Sequence, residues 1–239
     1  MNGARQTLSA RFTMRHKALL IVPALLAVAI VPAVAGLIRL ATLATGPATA
    51  SNARFFAHPW PVTLHILAVV PYSLLGALQF IPALRRYHWH RTLGMALVPL
   101  GLVAALSGLW MTCVYPWPAG DGRALYVMRL LVGTVMTLSI ASGVASLARR
   151  DYVNHGAWML RGYALGMGAG TQVFTHLPWF ILVDTPPDEV SRAFMMGLAW
   201  LINAAVAETV IRTGGLASGT NHQRQPTVPR LQAVRGDGI

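Results

Sequence analysis

The sequence predicts an all-α integral membrane protein, a bundle of six transmembrane helices with both termini in the cytoplasm. Of the 239 residues, 55% are hydrophobic and only 11% are charged, whereas about a quarter of the residues in an ordinary soluble domain are charged. The apolar residues gather in six stretches, each long enough to cross a bilayer core of about 30 Å as a helix. Most lysines and arginines lie on one side of these stretches, which predicts their orientation. The composition also excludes a disordered chain, which needs low hydrophobicity and high charge.

The six stretches favour helices over the strands of a membrane barrel. Backbone groups in lipid must pair within the protein, and a single helix satisfies all of its own. Barrel strands alternate apolar and polar residues over about ten positions, whereas these stretches are continuously apolar. In chain order the predicted helices are Ala18–Leu40, Pro61–Leu84, Leu93–Val114, Ala124–Ala148, Ala157–Val183 and Ala193–Ile211.

The first stretch has some features of a signal peptide. Residues 1–17 contain four basic side chains, and Ala33-Val34-Ala35 resembles a cleavage site. However, the uncharged segment Ala18–Ile38 is longer than a usual signal-peptide core. We therefore expect a retained helix that follows a basic cytoplasmic tail, residues 1–17.

The basic residues predict the orientation of the bundle. Fourteen of the 19 lysines and arginines fall on the side of the two termini, which the positive-inside rule places in the cytoplasm. There they would attract anionic lipid, so the excess of positive charge points to a bilayer and not to nucleic acid. The exceptions, on the predicted outer side, are Arg39, Arg54, Arg123, Arg129 and Arg192. Tryptophans near the predicted helix ends fit an aromatic belt, namely Trp60, Trp89, Trp117, Trp158 and Trp179.

The remaining composition limits domain organisation and chemistry. Residues 18–212 form one membrane domain, and residues 213–239, rich in Gly, Pro, Gln and Arg, are expected to be a disordered cytoplasmic tail. The single cysteine, Cys113, excludes an intrachain disulfide and a four-thiolate iron–sulfur site. No Walker loop, zinc-protease motif or serine-hydrolase motif is present. Whether the chain is an enzyme stays open at this point.

Ionisable side chains within the spans are the candidates for function, because a membrane interior makes them costly. At 1.5 Å per residue, His65 and His176 lie about 6 and 10 Å below the predicted outer surface. Two imidazoles from different helices can hold the iron of b-type haem. Tyr72 and Gln172 extend a polar stripe on the same two helices. Arg129 could neutralise a haem propionate or a quinone oxygen, or extend to the interface.

Two classes of function therefore compete. The first is a b-type haem protein that moves electrons within or across the membrane, with His65 and His176 as axial ligands. The second is a non-redox module, such as a small-solute permease, a sensor or an assembly factor, in which the histidines line a polar cavity. A histidine can also simply bond a carbonyl or hydroxyl of a neighbouring helix.

A second candidate cluster lies at the predicted cytoplasmic end, formed by His90, His155, Arg161 and Glu208. His155 precedes His176 by 21 residues, roughly 31 Å along a straight helix, which places it at the interface. Histidines there often bind phosphate headgroups or cap helices. Arg161 and Glu208 are expected to form an ion pair, Glu208 can also reach Arg212 one turn away, and Glu208 could relay protons.

Small residues recur on the fifth predicted helix. Gly162, Gly166 and Gly170 are spaced every four residues, which lets another backbone approach closely. The ridge could pack a helix of the same chain, leave space for a macrocycle, or bind a second chain in a homo- or hetero-oligomer.

Several motifs together resemble a known family. They are His65, Gly76-x-x-Gln79-Phe80, His90-Arg91-x-Leu93-Gly94 and His155-x-x-Trp158-Met159-x-Arg161-x-Tyr163-Ala164-Leu165. This pattern resembles DUF2306, a bacterial membrane family of unknown function, over residues 58–212. The resemblance implies a multi-pass protein of the bacterial cytoplasmic membrane without an established activity. Where many members carry an arginine late in the fifth helix, this chain has Gln172 and His176.

Overall fold

A computed structural model describes residues 2–81, 84 and 87–214 of the chain, with the backbone alone for residues 2–21. The predicted tail after residue 214 and the arginine pair at 85 and 86 lie outside the described residues. All regular structure in the described part is helical, which confirms the all-α fold. The α-helices are α1 (Asn2–Thr45), α2 (Ala53–Ala57), α3 (Pro59–Gly76), α4 (His88–Val114), α5 (Arg123–Ala148), α6 (Tyr152–Gly166), α7 (Gly168–Leu182) and α8 (Glu189–Arg212). A short 3₁₀ helix, Ala77–Phe80, follows α3.

Five segments of the described chain are long and apolar enough to cross a membrane. They are Val22–Thr45, Pro59–Phe80, His88–Val114, Arg123–Ala148 and Glu189–Arg212. These correspond to five of the six predicted helices, so the multi-pass character is supported. The remaining predicted helix, Ala157–Val183, differs because it is divided into α6 and α7, of 15 residues each.

The division between α6 and α7 falls at Met167 and has a local and a long-range cause. Gly166 and Gly168 flank Met167, and glycine is a weak helix former. The carbonyl of Ala164, which a continuous helix would bond to the amide of residue 168, instead accepts a hydrogen bond from the Asn203 side chain at 3.0 Å. An inserted polar side chain of this kind is a recognised cause of a helix break.

The helices pack into one bundle. Successive helices α3 and α4, α4 and α5, and α5 and α6 contact each other, while α1 packs on α3 and α7, and α8 packs on α5, α6 and α7. The main core is formed at mid-bundle by Tyr72, Met136, Ile140, Tyr163 and Met167, all at most 6% exposed. Lipid-facing apolar side chains cover the outside, as expected of a membrane bundle.

The glycine ridge packs within this chain. A Cβ atom on Gly162 would lie 3.0 Å from the Ile140 side chain, and one on Gly166 would lie 3.1 Å from Met136. Gly170 lies against the backbone of α1. All three glycines thus face neighbouring helices of the same chain, and an oligomer interface at this ridge is still a prediction.

Candidate functional site

A cavity of about 470 Å³ is lined by residues from all eight α-helices of the described chain. It extends from the end of the bundle that carries Asp121, which the sequence predicts to be the outer face. The cavity reaches as far as Met136, 13 residues into α5 and therefore about 20 Å along that helix. We call it the Asp121 cavity, and it divides into a charged rim, a polar middle and an apolar floor.

Asp121 organises the rim. It lies in the loop between α4 and α5, after a turn in which Gly120 has a φ of +82°, a conformation that favours glycine. The carboxylate is only 2% exposed and forms ion pairs with Arg129 of α5 and, at 2.8 Å, with Arg192 of α8. A buried carboxylate needs such partners. Asp121 therefore ties the loop to two helices and fixes the position of two guanidinium groups.

Arg54 of α2 also lies on the cavity wall, and aromatic contacts hold it there. Its guanidinium lies 4.6 Å from the centre of the Phe55 ring, and that of Arg39 lies 4.8 Å from the same ring. Phe55 packs edge-on against Tyr115 at 5.3 Å, and the Tyr115 hydroxyl donates to the His58 carbonyl at 2.6 Å. Among the described residues, neither arginine forms an ion pair.

The neighbours of Arg54 affect its pKa and the net charge of the rim. The pKa of Arg54 lies below its ordinary value, and burial is the largest cause. Nearby Asp121 raises the pKa, and the surrounding arginines lower it. The three arginines on the wall carry three positive charges against the single negative charge of Asp121. Glu189 lies next to Gly122, but it does not line the cavity and forms no ion pair within the described part of the chain. The rim thus keeps a net positive charge.

His65 and Gln172 form the polar middle. The Nδ1 atom of His65 lies 2.9 Å from the Ala104 carbonyl and 3.2 Å from the Ser107 hydroxyl. Because a carbonyl can only accept, Nδ1 donates, and in the neutral imidazole Nε2 then keeps its lone pair. The side-chain amide nitrogen of Gln172 is buried and has no hydrogen-bond partner among the described residues. Both side chains line the cavity, and the Gln172 amide has a donor free for a bound molecule.

The floor is apolar. Ala29 of α1, Ala105 of α4, Met136 of α5 and Leu165 of α6 contribute to it, and Met167 closes it at the break between α6 and α7. The cavity therefore changes from charged at the rim to apolar at mid-bundle. Such a gradient suits a molecule that has a polar head and an apolar body.

The structure brings together three of the five side chains predicted for a cofactor site. His65, Gln172 and Arg129 all line the Asp121 cavity, whereas His176 and Tyr72 do not. His176 donates from Nδ1 to the Gln172 carbonyl of its own helix at 2.8 Å and stacks on Phe180. Tyr72 lies in the core. The pairing of His65 with His176 as haem ligands is still a prediction.

The second candidate cluster lies away from this cavity. Arg161 donates to both carboxylate oxygens of Glu208, at 2.6 and 3.2 Å, and packs over the Trp158 ring at 4.7 Å. The expected ion pair is thus present, and Arg212 approaches Glu208 to 3.9 Å. His155 instead bonds the Gly143 carbonyl at 2.9 Å, and His90 lies in the first turn of α4. The Arg161–Glu208 ion pair and the His155–Gly143 hydrogen bond each join two helices.

The sequence interpretation missed Arg54, Asp121 and Arg192 as site residues. One signal could have indicated them, because Arg54 and Arg192 belong to the few arginines on the predicted outer side. Residues that depart from the positive-inside rule need a separate reason, and here the reason is a shared position around one cavity.

Comparison with known proteins identifies the family and nothing more specific. No curated protein and no solved structure matches the chain. The model of one family, described as "Predicted membrane protein (DUF2306)", matches residues 62–211, which is more than half of the chain. The matched region holds His65, Asp121, Arg129, Gln172 and Arg192 of the cavity wall, and the resemblance found in the sequence motifs is confirmed. The chain belongs to the DUF2306 family of predicted membrane proteins.

Proposed function

We propose that this protein is a membrane-embedded binding module that takes a small amphipathic molecule into the Asp121 cavity. One observation carries the proposal, namely the change along the cavity from arginines at the rim to Met136 and Leu165 at the floor. The volume of about 470 Å³ lies in the usual range of small-molecule sites, about 300–1,000 Å³. Charged groups are expensive inside a membrane, and Arg54 lines this cavity without an ion pair among the described residues.

Each zone of the cavity has a defined part in binding. The rim arginines contact the head of the molecule, and the floor accepts its apolar body. Between them, His65 presents a lone pair on Nε2 and Gln172 presents an unpaired N–H donor, so that a polar group along the body can be oriented. A sensor, a carrier and an assembly factor would all begin with this binding step.

Filling the cavity is expected to abolish binding. Gly108 lines the cavity, and a Cβ atom there would lie 3.5 Å from the His65 ring, so Gly108→Leu should occupy the space beside His65. In detergent micelles, dodecan-1-ol at 100 times its Kd should stabilise the native protein by about 2.7 kcal/mol. We expect the Gly108→Leu variant to lose most of this stabilisation, measured as the shift in Tm.

Gly94→Leu is the matched control, since Gly94 lies in the same helix and a Cβ atom there would have nothing within 4 Å. It should keep the full response to dodecan-1-ol. Equal responses of the wild type and Gly108→Leu, or no response of the wild type, would show that the cavity is not a binding site for amphiphiles.

Haem b is a second candidate for the bound molecule. Its support is the state of His65, because Nδ1 donates to the Ala104 carbonyl at 2.9 Å and leaves Nε2 as the ligating atom, the arrangement found for many metal-bound histidines. Two propionates would also match the positive rim. Bound haem would supply one-electron chemistry, and the residues of this chain would hold and orient it.

An absorption spectrum tests the haem proposal. Protein purified after expression with added haem precursor should show a Soret band that His65→Ala abolishes. If His176 is the second axial ligand, His176→Ala should also shift or abolish the band, whereas His155→Ala, at the other end of the bundle, should not. A spectrum without a Soret band, or a band unaffected by His65→Ala, would contradict haem binding and leave the binding of other amphiphiles unaffected.

A further inference from the structure

The charge distribution at the rim of the Asp121 cavity indicates the chemical class of the bound molecule. We propose, on the basis of the binding function above, that its head is an oxyanion, a carboxylate or a phosphate, and that Arg54 is the residue that recognises it. The three rim arginines differ in whether they already have a counter-ion within the protein.

Two of the three arginines on the wall have a counter-ion within the protein. Arg129 and Arg192 both pair with Asp121, whose side chain is 2% exposed. Arg129 donates a hydrogen bond to Asp121, whereas Nε of Arg192 lies 2.8 Å from Oδ1 of Asp121 in an ion pair without a hydrogen bond. Asp121 therefore acts as an internal counter-ion that keeps the two guanidinium groups in fixed positions before a ligand arrives.

Arg54 has no such partner. Among the described residues it forms no ion pair, and its guanidinium instead lies over the Phe55 ring, with Arg39 over the same ring. Burial and the neighbouring arginines disfavour the charge of Arg54, Asp121 offsets this only in part, and a bound anion would stabilise the charge further. The planar guanidinium offers paired N–H donors that match a carboxylate or a phosphate in geometry.

The apolar wall behind the rim requires that this oxyanion be attached to an apolar body. Arg129 lies six residues into α5 and Met136 lies 13 residues into it, so about 10 Å of α5 separates the charged wall from the floor. Inorganic phosphate or acetate would fill the rim alone and leave the apolar part of the cavity without contacts. An amphiphile with an anionic head uses both parts.

The experiment compares two probes that have the same alkyl chain length and differ in the head group. Binding of dodecanoate and of dodecan-1-ol is measured at neutral pH by titration of the purified protein in uncharged detergent, with acetate as the head without a chain. We expect the wild type to bind dodecanoate at least about tenfold more tightly than dodecan-1-ol, and acetate far more weakly. Arg54→Gln should reduce the preference for dodecanoate to about unity, because the affinity for dodecanoate falls far more than the affinity for dodecan-1-ol.

Arg123→Gln is the control for general surface charge. Arg123 is exposed, begins α5 at the same end of the bundle and does not line the Asp121 cavity, so its removal should leave the tenfold preference intact. The proposal is overturned if the wild type binds both probes equally, if Arg54→Gln keeps the preference, or if Arg123→Gln loses it to the same extent. If acetate binds as tightly as dodecanoate, the proposal of an amphiphilic ligand is wrong and the ligand is a free small anion.

These outcomes separate the two proposals. If dodecan-1-ol binds and dodecanoate binds no more tightly, the proposal of an oxyanion head group is wrong, and the proposed binding of amphiphiles is still supported. If neither chain-bearing probe binds, the binding function itself is wrong.

Discussion

Replacing Asp121 by alanine is expected to destabilise the protein by about 3 kcal/mol. The substitution leaves Arg129 and Arg192 without their shared counter-ion, and breaking a buried ion pair from one side typically costs about 3–5 kcal/mol. We expect the lower end of that range because the two arginine side chains remain 28% and 32% exposed, so solvent can stabilise part of their charge.

The destabilisation is measured by unfolding in mixed micelles with increasing SDS. Asp184→Ala is the control, since Asp184 is exposed in the loop before α8 and should change the stability by no more than about 0.5 kcal/mol. Asp121→Asn should fall between the two, because it keeps hydrogen-bond acceptors and loses the charge. A stability of Asp121→Ala within about 1 kcal/mol of the wild type would mean that the rim ion pairs contribute little.

The same substitution separates stability from binding. Removing Asp121 frees two more guanidinium groups at the rim, so a dodecanoate head should bind Asp121→Ala more tightly than the wild type even though the variant is less stable. A residue that holds a site in place at the expense of affinity is an ordinary trade-off in proteins. Equal or weaker dodecanoate binding by a folded Asp121→Ala would contradict this expectation.

The helices were largely predictable because composition alone dictates them. A run of about 20 apolar residues has few alternatives to a helix in lipid, and five predicted spans correspond to candidate spans in the structure. The break at Met167 was not predictable in this way. Its glycines are visible in the sequence, but the Asn203 side chain that takes the Ala164 carbonyl belongs to another helix, 39 residues further along the chain.

The sequence predicted how deep the site residues lie along their helices, but not which side of each helix faces the cavity. Helix rise placed His65 and His176 near the same end of the bundle, but it does not give which side of each helix faces the centre. Gln172 lines the cavity, while His176, one turn further, bonds back to the Gln172 carbonyl. The side that α7 presents is also fixed by Thr171, which donates to Asn203 of α8 at 2.8 Å. Contacts of this kind depend on packing between helices.

For the rim arginines too, the sequence predicted the position along the chain but not the contacts between distant segments. The sequence placed Arg54, Arg129 and Arg192 at one end of the bundle and did not show that they surround a common cavity. Their convergence requires the loop with Gly120 to return Asp121 between α5 and α8. A lone acidic residue in a loop between two spans carries no signal of its own, which is why Asp121 was missed.

Tyr163→Ala is the second substitution for which we expect a large effect, about 3 kcal/mol of destabilisation. Tyr163 is 3% exposed, and its ring lies 5.8 Å from that of Tyr72 and 5.0 Å from that of Phe80. Its hydroxyl donates to the Ser73 carbonyl at 2.7 Å. Removing a buried aromatic side chain typically costs about 3–5 kcal/mol. Within a membrane the loss comes from packing contacts and not from exposure to water, so we expect the lower end.

Two further variants separate the contributions at Tyr163. Tyr163→Phe keeps the ring and loses the hydrogen bond, which should cost about 1 kcal/mol. Tyr152→Ala, in the same helix but with a side chain that is 61% exposed, should change the stability by no more than about 0.5 kcal/mol. Unfolding in mixed micelles measures all three, and equal effects of Tyr163→Ala and Tyr152→Ala would contradict a packing role for Tyr163.

Tyr163→Ala should also affect the cavity floor, because Tyr72 contacts both Tyr163 and the cavity-lining Gly166. We expect this variant to bind dodecan-1-ol more weakly, whereas Tyr163→Phe should leave that binding intact.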